Sequence, residues 1–159
     1  MAPSRKSCLI TGCSSGGIGA ALAEAFAEKG YRVFATARDP TKNTQALHDH
    51  PNVVVLALDV ASASSIMAAT HAVEFDTGGT LDVLVNNAGH GINLPLLDTA
   101  VTDARRLFDV NFFGPLETAK AFAPMLVSAK GCIVNNSSIG AMQAFPFNGE
   151  RPINPSCLK

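Results

Sequence analysis

Residues 8–19 of the sequence, CLITGCSSGGIG, lead a short apolar run directly into a glycine-rich stretch. Apolar residues then recur at helical spacing, at Ile18, Leu22 and Phe26. This periodicity predicts an α-helix, and Gly30 is the residue type that commonly ends one. Tyr31–Ala37 (YRVFATA) predicts a second strand. The stretch therefore indicates a β-α-β unit with its glycines in the first turn.

The alternation of strand and helix continues further along the chain. Residues 52–58 (NVVVLAL) form an almost unbroken aliphatic run, as expected for a strand buried on both faces of a parallel sheet. Ser64–Phe75 predicts a helix. Residues 81–85 (LDVLV) predict a fourth strand, which runs straight into Asn86-Asn87-Ala88-Gly89.

A last helix and strand complete the pattern. Residues 103–129 predict a long helix with a bend or break at Gly114-Pro115 and at Pro124, and Cys132–Asn135 predicts a fifth strand. Strands that alternate with helices of this length predict the α/β class. We expect a Rossmann-type, doubly wound parallel sheet of five strands in the order 3-2-1-4-5.

Composition limits the function classes. The 159 residues are 47% hydrophobic and 16% charged, with a mean hydropathy of +0.21, so one ordinary core is expected. Twelve Lys and Arg against thirteen Asp and Glu give a formal net charge of −1. Without a long basic run, binding to nucleic acid has no electrostatic support, and a small-molecule partner is expected.

The cysteines and the apolar runs indicate the compartment. No C-x-x-C pair and no histidine spacing suited to zinc occurs, so the four cysteines are expected to be buried thiols, with no metal site. The N-terminal apolar run is too short for a signal peptide, and no segment approaches the ~20 apolar residues of a membrane span. These features predict an intracellular, cytoplasmic protein without a transmembrane segment.

The glycine-rich stretch Thr11–Gly19 is a candidate phosphate site. Backbone N–H groups and the positive end of the helix dipole can hold a pyrophosphate at such a turn. A glycine-rich turn is also a common way to join a strand to a helix, so this segment alone leaves both interpretations open. Ile18 stands where a P-loop requires lysine, which disfavours an NTPase and leaves a dinucleotide.

Arg38 follows the second predicted strand and bears on the choice of dinucleotide. An acid at this place accepts hydrogen bonds from a ribose 2′-hydroxyl, whereas a guanidinium pairs with a 2′-phosphate. Arg38 could equally be a solvated surface charge. Its place beside the glycine-rich loop favours recognition of NADP(H), with Ser14 and Ser15 as secondary donors.

Four motifs in order resemble the short-chain dehydrogenase/reductase family. They are Thr11–Gly19, Asp59-Val60, Asn86-Asn87-Ala88-Gly89, and Asn111 followed by Val134-Asn135-Asn136-Ser137-Ser138. The resemblance covers about residues 7–149, the cofactor-binding half of a family whose members are usually longer. Thr36-Ala37-Arg38 and Phe145-Pro146-Phe147-Asn148-Gly149 are similar to the fungal acyl-dihydroxyacetone phosphate reductase branch.

The resemblance implies a role for each motif in cofactor binding. Asp59 would bond near the adenine, although a strand-end cap explains it equally well. The strand-four turn would lie under the adenosine ribose, while Asn87 would stabilise the sheet. The cofactor-binding residues so implied are Gly12, Ser14, Ser15, Gly17, Ile18, Gly19, Arg38, Asp59, Asn86, Ala88 and Gly89.

Two catalytic residues follow from the same resemblance. Ser138 would hydrogen-bond the substrate carbonyl and stabilise its oxygen as hydride arrives, with a turn-capping serine as the alternative. Asn111 would bend the long helix and hold a water of a proton relay, or simply tie two elements together. His90 could in principle lie near the nicotinamide and donate a proton, but a polar loop histidine is the favoured interpretation.

The family pattern is not met after Ser138. The catalytic tyrosine should stand thirteen positions later, with a lysine four further on, but these positions hold Arg151 and Pro155, and the sole tyrosine is Tyr31. A guanidinium holds its proton too tightly to replace the acid. The departure suggests a truncated, alternatively spliced or frame-shifted product that lacks the C-terminal strands and the family's oligomer helix.

Two functions are therefore expected. The first is an NADPH-dependent ketoreductase that acts on a carbonyl of a lipid-like or secondary-metabolite substrate, and the alternative is a catalytically inactive dinucleotide-binding fragment. We expect residues 1–149 to form the NADP-binding domain and residues 150–159 a divergent tail. The resemblance also allows peripheral association with lipid droplets or the endoplasmic reticulum.

Overall fold

Five parallel strands form one sheet in the computed structural model, which describes residues 5–138. The strands are β1 Ser7–Ile10, β2 Arg32–Ala37, β3 Val53–Ala57, β4 Val83–Asn86 and β5 Cys132–Asn135. Their order is β3-β2-β1-β4-β5, which confirms the predicted Rossmann-type sheet. The motif at residues 145–149, the positions Arg151 and Pro155, Cys157 and the predicted tail at residues 150–159 lie outside the described residues.

Helices cover both faces of the sheet. They are α1 Ile18–Glu28, α2 Gln45–Asp49, α3 Ala63–Thr77, α4 Val101–Phe108 and α5 Gly114–Ala129, with 3₁₀ turns at Pro40–Lys42 and Leu96–Asp98. A π-helical turn at Asp109–Phe113 joins α4 to α5. Alternate strand residues point to opposite faces, so the strands β1 to β4 pack against a separate apolar cluster on each face.

The central strand β1 shows how the two cores arise. Leu9 pairs in register with Phe34 and Leu84, and all three pack with α3 and α5 on one face. Ile10 pairs with Ala35 and Val85, which pack on the other face together with small residues of α1. Burial of this kind stabilises by about 25 cal/mol per Å² of apolar surface and fixes the register, because a one-residue slip would exchange the two faces.

Helix α1 ends as its sequence predicts. Gly30 has φ +84° and its N–H donates to the Ala27 carbonyl at 3.0 Å, while the Tyr31 N–H donates to the Phe26 carbonyl at 3.1 Å. The Phe26 and Tyr31 rings meet edge to face with centroids 5.0 Å apart. This Schellman motif and its apolar contact turn the chain directly into β2.

Strand β3 departs from expectation. Its residues Val53–Leu56 are only half-buried and Ala57 is exposed, so the prediction of burial on both faces is wrong. The reason is its place in the sheet, because within residues 5–138 it pairs with β2 alone. An unbroken apolar run indicates that a strand forms, but it does not distinguish an edge strand from a central one.

The long predicted helix is divided at Gly114-Pro115, where a π-helical turn meets α5. The π-helical turn ends at Gly114, whose N–H donates to the Asp109 carbonyl five residues earlier. Pro115 lies in the first turn of α5, where no backbone donor is needed. The sequence predicts a bend or a break at Pro124; helix α5 continues through it, so a break is wrong, and burial of Phe122 and Met125 beside it offsets the lost hydrogen bond.

The described cysteines differ in exposure. Cys8 and Cys13 are fully buried free thiols, and burial raises both pKa values, that of Cys13 to about 12. Cys132 is exposed on β5, so the prediction that it is buried is wrong. In the part of the chain that the structure describes, no helix is long and apolar enough to cross a membrane.

Removal of one ion pair provides a test of the fold. Arg32 at the start of β2 donates from Nε to Asp76 Oδ1 at 3.0 Å and from Nη2 to Oδ2 at 2.6 Å. These bonds hold the pKa of Asp76 below its usual value. We expect Asp76→Asn to lower the free energy of unfolding by about 1 kcal/mol at neutral pH, since the pair is bidentate but partly solvated.

The lowered pKa of Asp76 determines how the stabilisation by this ion pair changes with pH. A lowered carboxyl pKa stabilises the fold above the unfolded-state pKa, near 3.8, and this contribution is lost as pH falls through the folded-state value. Urea unfolding at several pH values measures the effect. Glu74→Gln on the same helix is the control, and an equal loss in both variants, or a loss unchanged down to pH 2, would contradict the assignment.

Candidate functional site

A pocket of about 500 Å³ lies at the carboxyl ends of the central strands. Ligands of open α/β sheets bind at this edge, where loops from several strands converge. Of the predicted cofactor residues, those that line it are Gly12, Ser14, Ser15, Gly17, Ile18, Arg38, Asp59, Ala88 and Gly89. Further lining residues that the sequence did not single out as binding residues include Val60, Asn87, His90, Val110 and Asn136.

The glycine-rich loop packs closely on the turn after β4. Gly12 has φ +74°, and a Cβ at this position would lie 2.8 Å from the Ala88 Cα. A Cβ at Gly19 would collide with the Gly12 carbonyl and the Asn87 amide. Gly19 is buried and lies beneath the pocket wall, whereas Gly12 forms part of its surface. The close approach thus requires glycine at both positions.

Thr11 and Asn87 join the ends of β1 and β4. The Thr11 hydroxyl oxygen accepts the N–H groups of Asn87 and Ala88, both at 2.9 Å. The Asn87 side-chain amide donates in return to the carbonyls of Thr11 at 2.8 Å and Gly12 at 3.0 Å. Thr11 is 1% exposed, so these bonds are shielded from water. Together they fix the floor of the pocket.

Two asparagine pairs extend this network to β5. Asn136 donates from Nδ2 to Asn87 Oδ1 at 2.9 Å, and Asn86 donates from Nδ2 to Asn135 Oδ1 at the same distance. Asn86 is 4% exposed and lies in the sheet, outside the pocket lining. Its position beneath the turn places it behind the residues that would meet a ribose.

The N-terminus of α1 opens onto the pocket. Its N-cap is Gly17, which offers no side-chain cap, and its first turn holds no acidic residue. Ile18, the first helical residue, is 63% exposed and lines the pocket. First-turn N–H groups carry partial positive charge and lack partners within the helix. This terminus therefore suits the phosphates of a dinucleotide.

Arg38 and Asp59 lie at the outer side of the pocket. Ion pairs among residues 5–138 join Arg32 to Asp76 and Arg106 to Asp103, so no described carboxylate neutralises Arg38. Asp59 accepts the Ala61 N–H at 3.0 Å, which makes it a strand-end cap as well as a lining residue. In the same described range, no three His, Cys, Asp or Glu side chains are grouped to hold a metal ion.

Asn111 ties the π-helical turn to the strand-four turn. Its Nδ2 donates to the His90 carbonyl at 2.8 Å and its Oδ1 accepts the His90 N–H at 3.1 Å. Asn111 is 8% exposed, so it acts as the buried tie that the sequence allowed. Its role in a proton relay and the catalytic role of Ser138 remain predictions. Ser138 is exposed and follows β5 by three residues.

Comparison with known proteins identifies the family. The chain belongs to the short chain dehydrogenase family, whose model matches residues 6–149. It is 50% identical over 137 residues to a short-chain dehydrogenase of Penicillium ochrochloron, a match that covers 86% of this chain and 50% of the relative. The chain thus spans about half the length of the curated relatives it matches.

Two further proteins are similar to this chain. An NADPH-dependent 1-acyldihydroxyacetone phosphate reductase of Schizosaccharomyces pombe is 40% identical over 140 residues, which are 88% of this chain and 47% of that protein. A crystal structure of a metagenomic short-chain oxidoreductase in complex with NADP is 33% identical, with a TM-score of 0.82. That match covers 92% of this chain and 67% of the other.

The Thr11 hydroxyl can be tested by substitution. Thr11→Val preserves the side-chain shape but removes the acceptor of two backbone N–H groups, which then lie unpaired at the pocket floor. We expect the free energy of unfolding to fall by about 2–4 kcal/mol, as measured by urea titration.

A second threonine provides the matched control. The Thr70 hydroxyl donates to the Ile66 carbonyl within α3 at 2.8 Å, so Thr70→Val removes a donor and orphans no N–H group. Thr70→Val should lower the free energy of unfolding by less than about 1 kcal/mol. Equal losses of unfolding free energy in the two variants would show that the Thr11 hydrogen bonds stabilise the fold no more than an ordinary threonine hydroxyl does.

Proposed function

We propose that the chain forms the NADP(H)-binding part of a short-chain ketoreductase. The observation that carries this proposal is Arg38, which lines the pocket beside the glycine-rich loop without a carboxylate partner among residues 5–138. A guanidinium can bind a 2′-phosphate in bidentate fashion. The names of the S. pombe NADPH-dependent reductase and of the metagenomic oxidoreductase with NADP support the same cofactor.

The pocket residues fit the remainder of a dinucleotide. The uncapped N-terminus of α1 at Gly17 and Ile18 would hold the pyrophosphate. Ser14 and Ser15 line the pocket near Arg38 and would donate to phosphate oxygens. Ala88 and Gly89 would lie against a ribose, and Asp59 against the adenine. Bound NADPH would supply hydride from its nicotinamide ring.

The reduction itself would need a group that stabilises the negative charge developing on the carbonyl oxygen and an acid that donates a proton to it. Ser138 would donate a hydrogen bond to the substrate carbonyl oxygen, since it stands at the family's serine position after β5. Asn111 would position the His90 loop at the pocket wall through its two backbone hydrogen bonds. By analogy with the S. pombe reductase, the substrate would be a carbonyl of a lipid-like compound; the family resemblance also allows a secondary metabolite.

A second candidate function is dinucleotide binding without catalysis. The positions expected for the catalytic tyrosine and lysine hold Arg151 and Pro155. Tyr31 cannot serve instead, because it precedes β2 and packs on Phe26 at the opposite end of the sheet from the pocket. Binding and turnover are therefore tested separately.

The cofactor proposal predicts a loss on removal of Arg38. Arg38→Ala should weaken NADPH binding by about 1.5–3 kcal/mol, as charged hydrogen bonds to a 2′-phosphate are lost, and should leave NADH binding nearly unchanged. Titration calorimetry with both cofactors measures this. Arg105→Ala, which removes an exposed arginine outside the pocket lining, is the control. Equal wild-type affinities for the two cofactors would refute the preference.

The second test concerns turnover by the 159-residue chain. Reduction of a ketone should be undetectable or very slow, because Arg151 stands where the catalytic tyrosine is expected. A positioned acid contributes about 10²–10⁴-fold to such a reaction. The assay follows oxidation of NADPH with acyl-dihydroxyacetone phosphate and with simple ketones. Rapid oxidation that Ser138→Ala abolishes would show that the chain is a catalyst in its own right and would exclude the binding-only alternative.

A further inference from the structure

Asp39 places a carboxylate next to Arg38 in the sequence. A carboxylate at this position can weaken the binding of NADP(H) in two ways: it can pair with the Arg38 guanidinium, or it can repel a 2′-phosphate. It could also accept a hydrogen bond from the 2′-hydroxyl of NAD(H). The selectivity of the pocket therefore depends on where this carboxylate is held.

The structure holds the Asp39 carboxylate on Thr41. Asp39 is the N-cap of the 3₁₀ turn Pro40–Lys42, and its Oδ1 accepts the Thr41 hydroxyl at 2.6 Å and the Thr41 N–H at 3.1 Å. Arg38 and Asp39 form no ion pair within 4 Å, as the pairs in the described range involve other residues. The Thr41 bonds and the nearby Lys42 ammonium hold the pKa of Asp39 below its usual value.

The same turn is bonded to the glycine-rich loop. The Ser15 N–H donates to the Lys42 carbonyl at 2.7 Å, and the Lys42 N–H donates to the Asp39 carbonyl at 3.1 Å. Ser15 and Arg38 both line the pocket, whereas Asp39 and Thr41 are absent from its lining. The turn thus joins the two parts of the pocket that would meet a 2′-phosphate and keeps the acid outside it.

We propose that Thr41 is a positioning residue for cofactor selectivity, because its hydroxyl keeps Asp39 away from Arg38 and leaves the guanidinium available to a 2′-phosphate. This inference rests on the proposed function, since it concerns the same pocket. Loss of the hydroxyl leaves the carboxylate with a single backbone donor. It can then rotate toward Arg38 or toward a ribose hydroxyl, which weakens NADPH binding and favours NADH.

The test compares Thr41→Val with wild type. Calorimetric titration with NADPH and with NADH gives the ratio of the two dissociation constants. We expect Thr41→Val to reduce the preference for NADPH by about 3- to 10-fold, the size of effect expected for the net contribution of one hydrogen bond at an exposed site. Thr41→Ser keeps a hydroxyl and should retain most of the preference.

Thr44→Val is the matched structural control. The Thr44 hydroxyl caps α2 by accepting the Leu47 N–H at 3.3 Å, and Thr44 does not line the pocket. Its loss removes a capping hydroxyl three residues away without touching Asp39. Thr44→Val should therefore lower thermal stability while the ratio of the two dissociation constants stays at the wild-type value.

A double-substitution cycle shows whether Thr41 acts through Asp39. In an Asp39→Asn background, Thr41→Val should no longer change the selectivity, because no carboxylate remains to be released. An equal change in both backgrounds, or no change in either, overturns the proposal. If Thr41→Val does not fold, the NADPH preference of the single variant Asp39→Asn tests the proposal instead. This variant is expected to fold, because asparagine still caps the turn. Its preference for NADPH should be no lower than wild type, and a lower preference overturns the proposal.

Failure of this proposal can be separated from failure of the proposed function. If Arg38→Ala weakens NADPH binding and Thr41→Val leaves the selectivity unchanged, the cofactor assignment stands and the positioning role of Thr41 is wrong. If wild type binds both cofactors equally, or binds neither, both proposals are wrong.

Discussion

The hydrogen bonding between Thr11 and the turn after β4 is the constraint on which the rest of the pocket depends. Parallel strands end at the same edge of a sheet, but nothing in the ladder itself fixes the loops beyond them. Here one buried hydroxyl accepts two N–H groups, and Asn87 returns two bonds to the carbonyls of Thr11 and Gly12. The glycine-rich loop packs closely on this support, and Gly17 and Ile18 at the start of α1 line the pocket.

This arrangement requires neighbouring backbone segments to pack so closely that two positions have no room for a side chain. Gly12 and Gly19 meet neighbouring backbone so closely that a methyl group has no room at either position. Gly17, the N-cap of α1, likewise has no side chain that could cap the first N–H groups of the helix. An uncapped helix start is a small loss of stability in the protein alone, and it is the feature that an anionic ligand can use. Stability and binding therefore oppose each other at this loop.

Much of the fold was predictable because its causes are local. The helical spacing of α1, the terminating Gly30 and the matching strand Cys132–Asn135 follow from periodicity and residue type, and the strand order follows from the alternation of elements. The half-buried state of β3 was missed because burial depends on neighbours in space. The importance of Thr11 and Asn136 was missed for the same reason, since their partners are 76 and 49 residues away.

The π-helical turn between α4 and α5 sets the rotational phase of α5. Each residue advances a helix by about 100°, so the extra residue in this wide turn rotates α5 relative to a continuous helix by about that angle. The rotation brings Gly114 against Val60 and directs Phe122 and Leu126 into the core, while Asn111 faces His90. A deletion of one residue between Asp109 and Phe113 would convert the turn to regular helix and leave the buried face of α5 in place, because the wide turn absorbs one residue. Regular helix at unchanged length would instead rotate that face toward solvent, so the wide turn is what a chain of this length requires between α4 and α5.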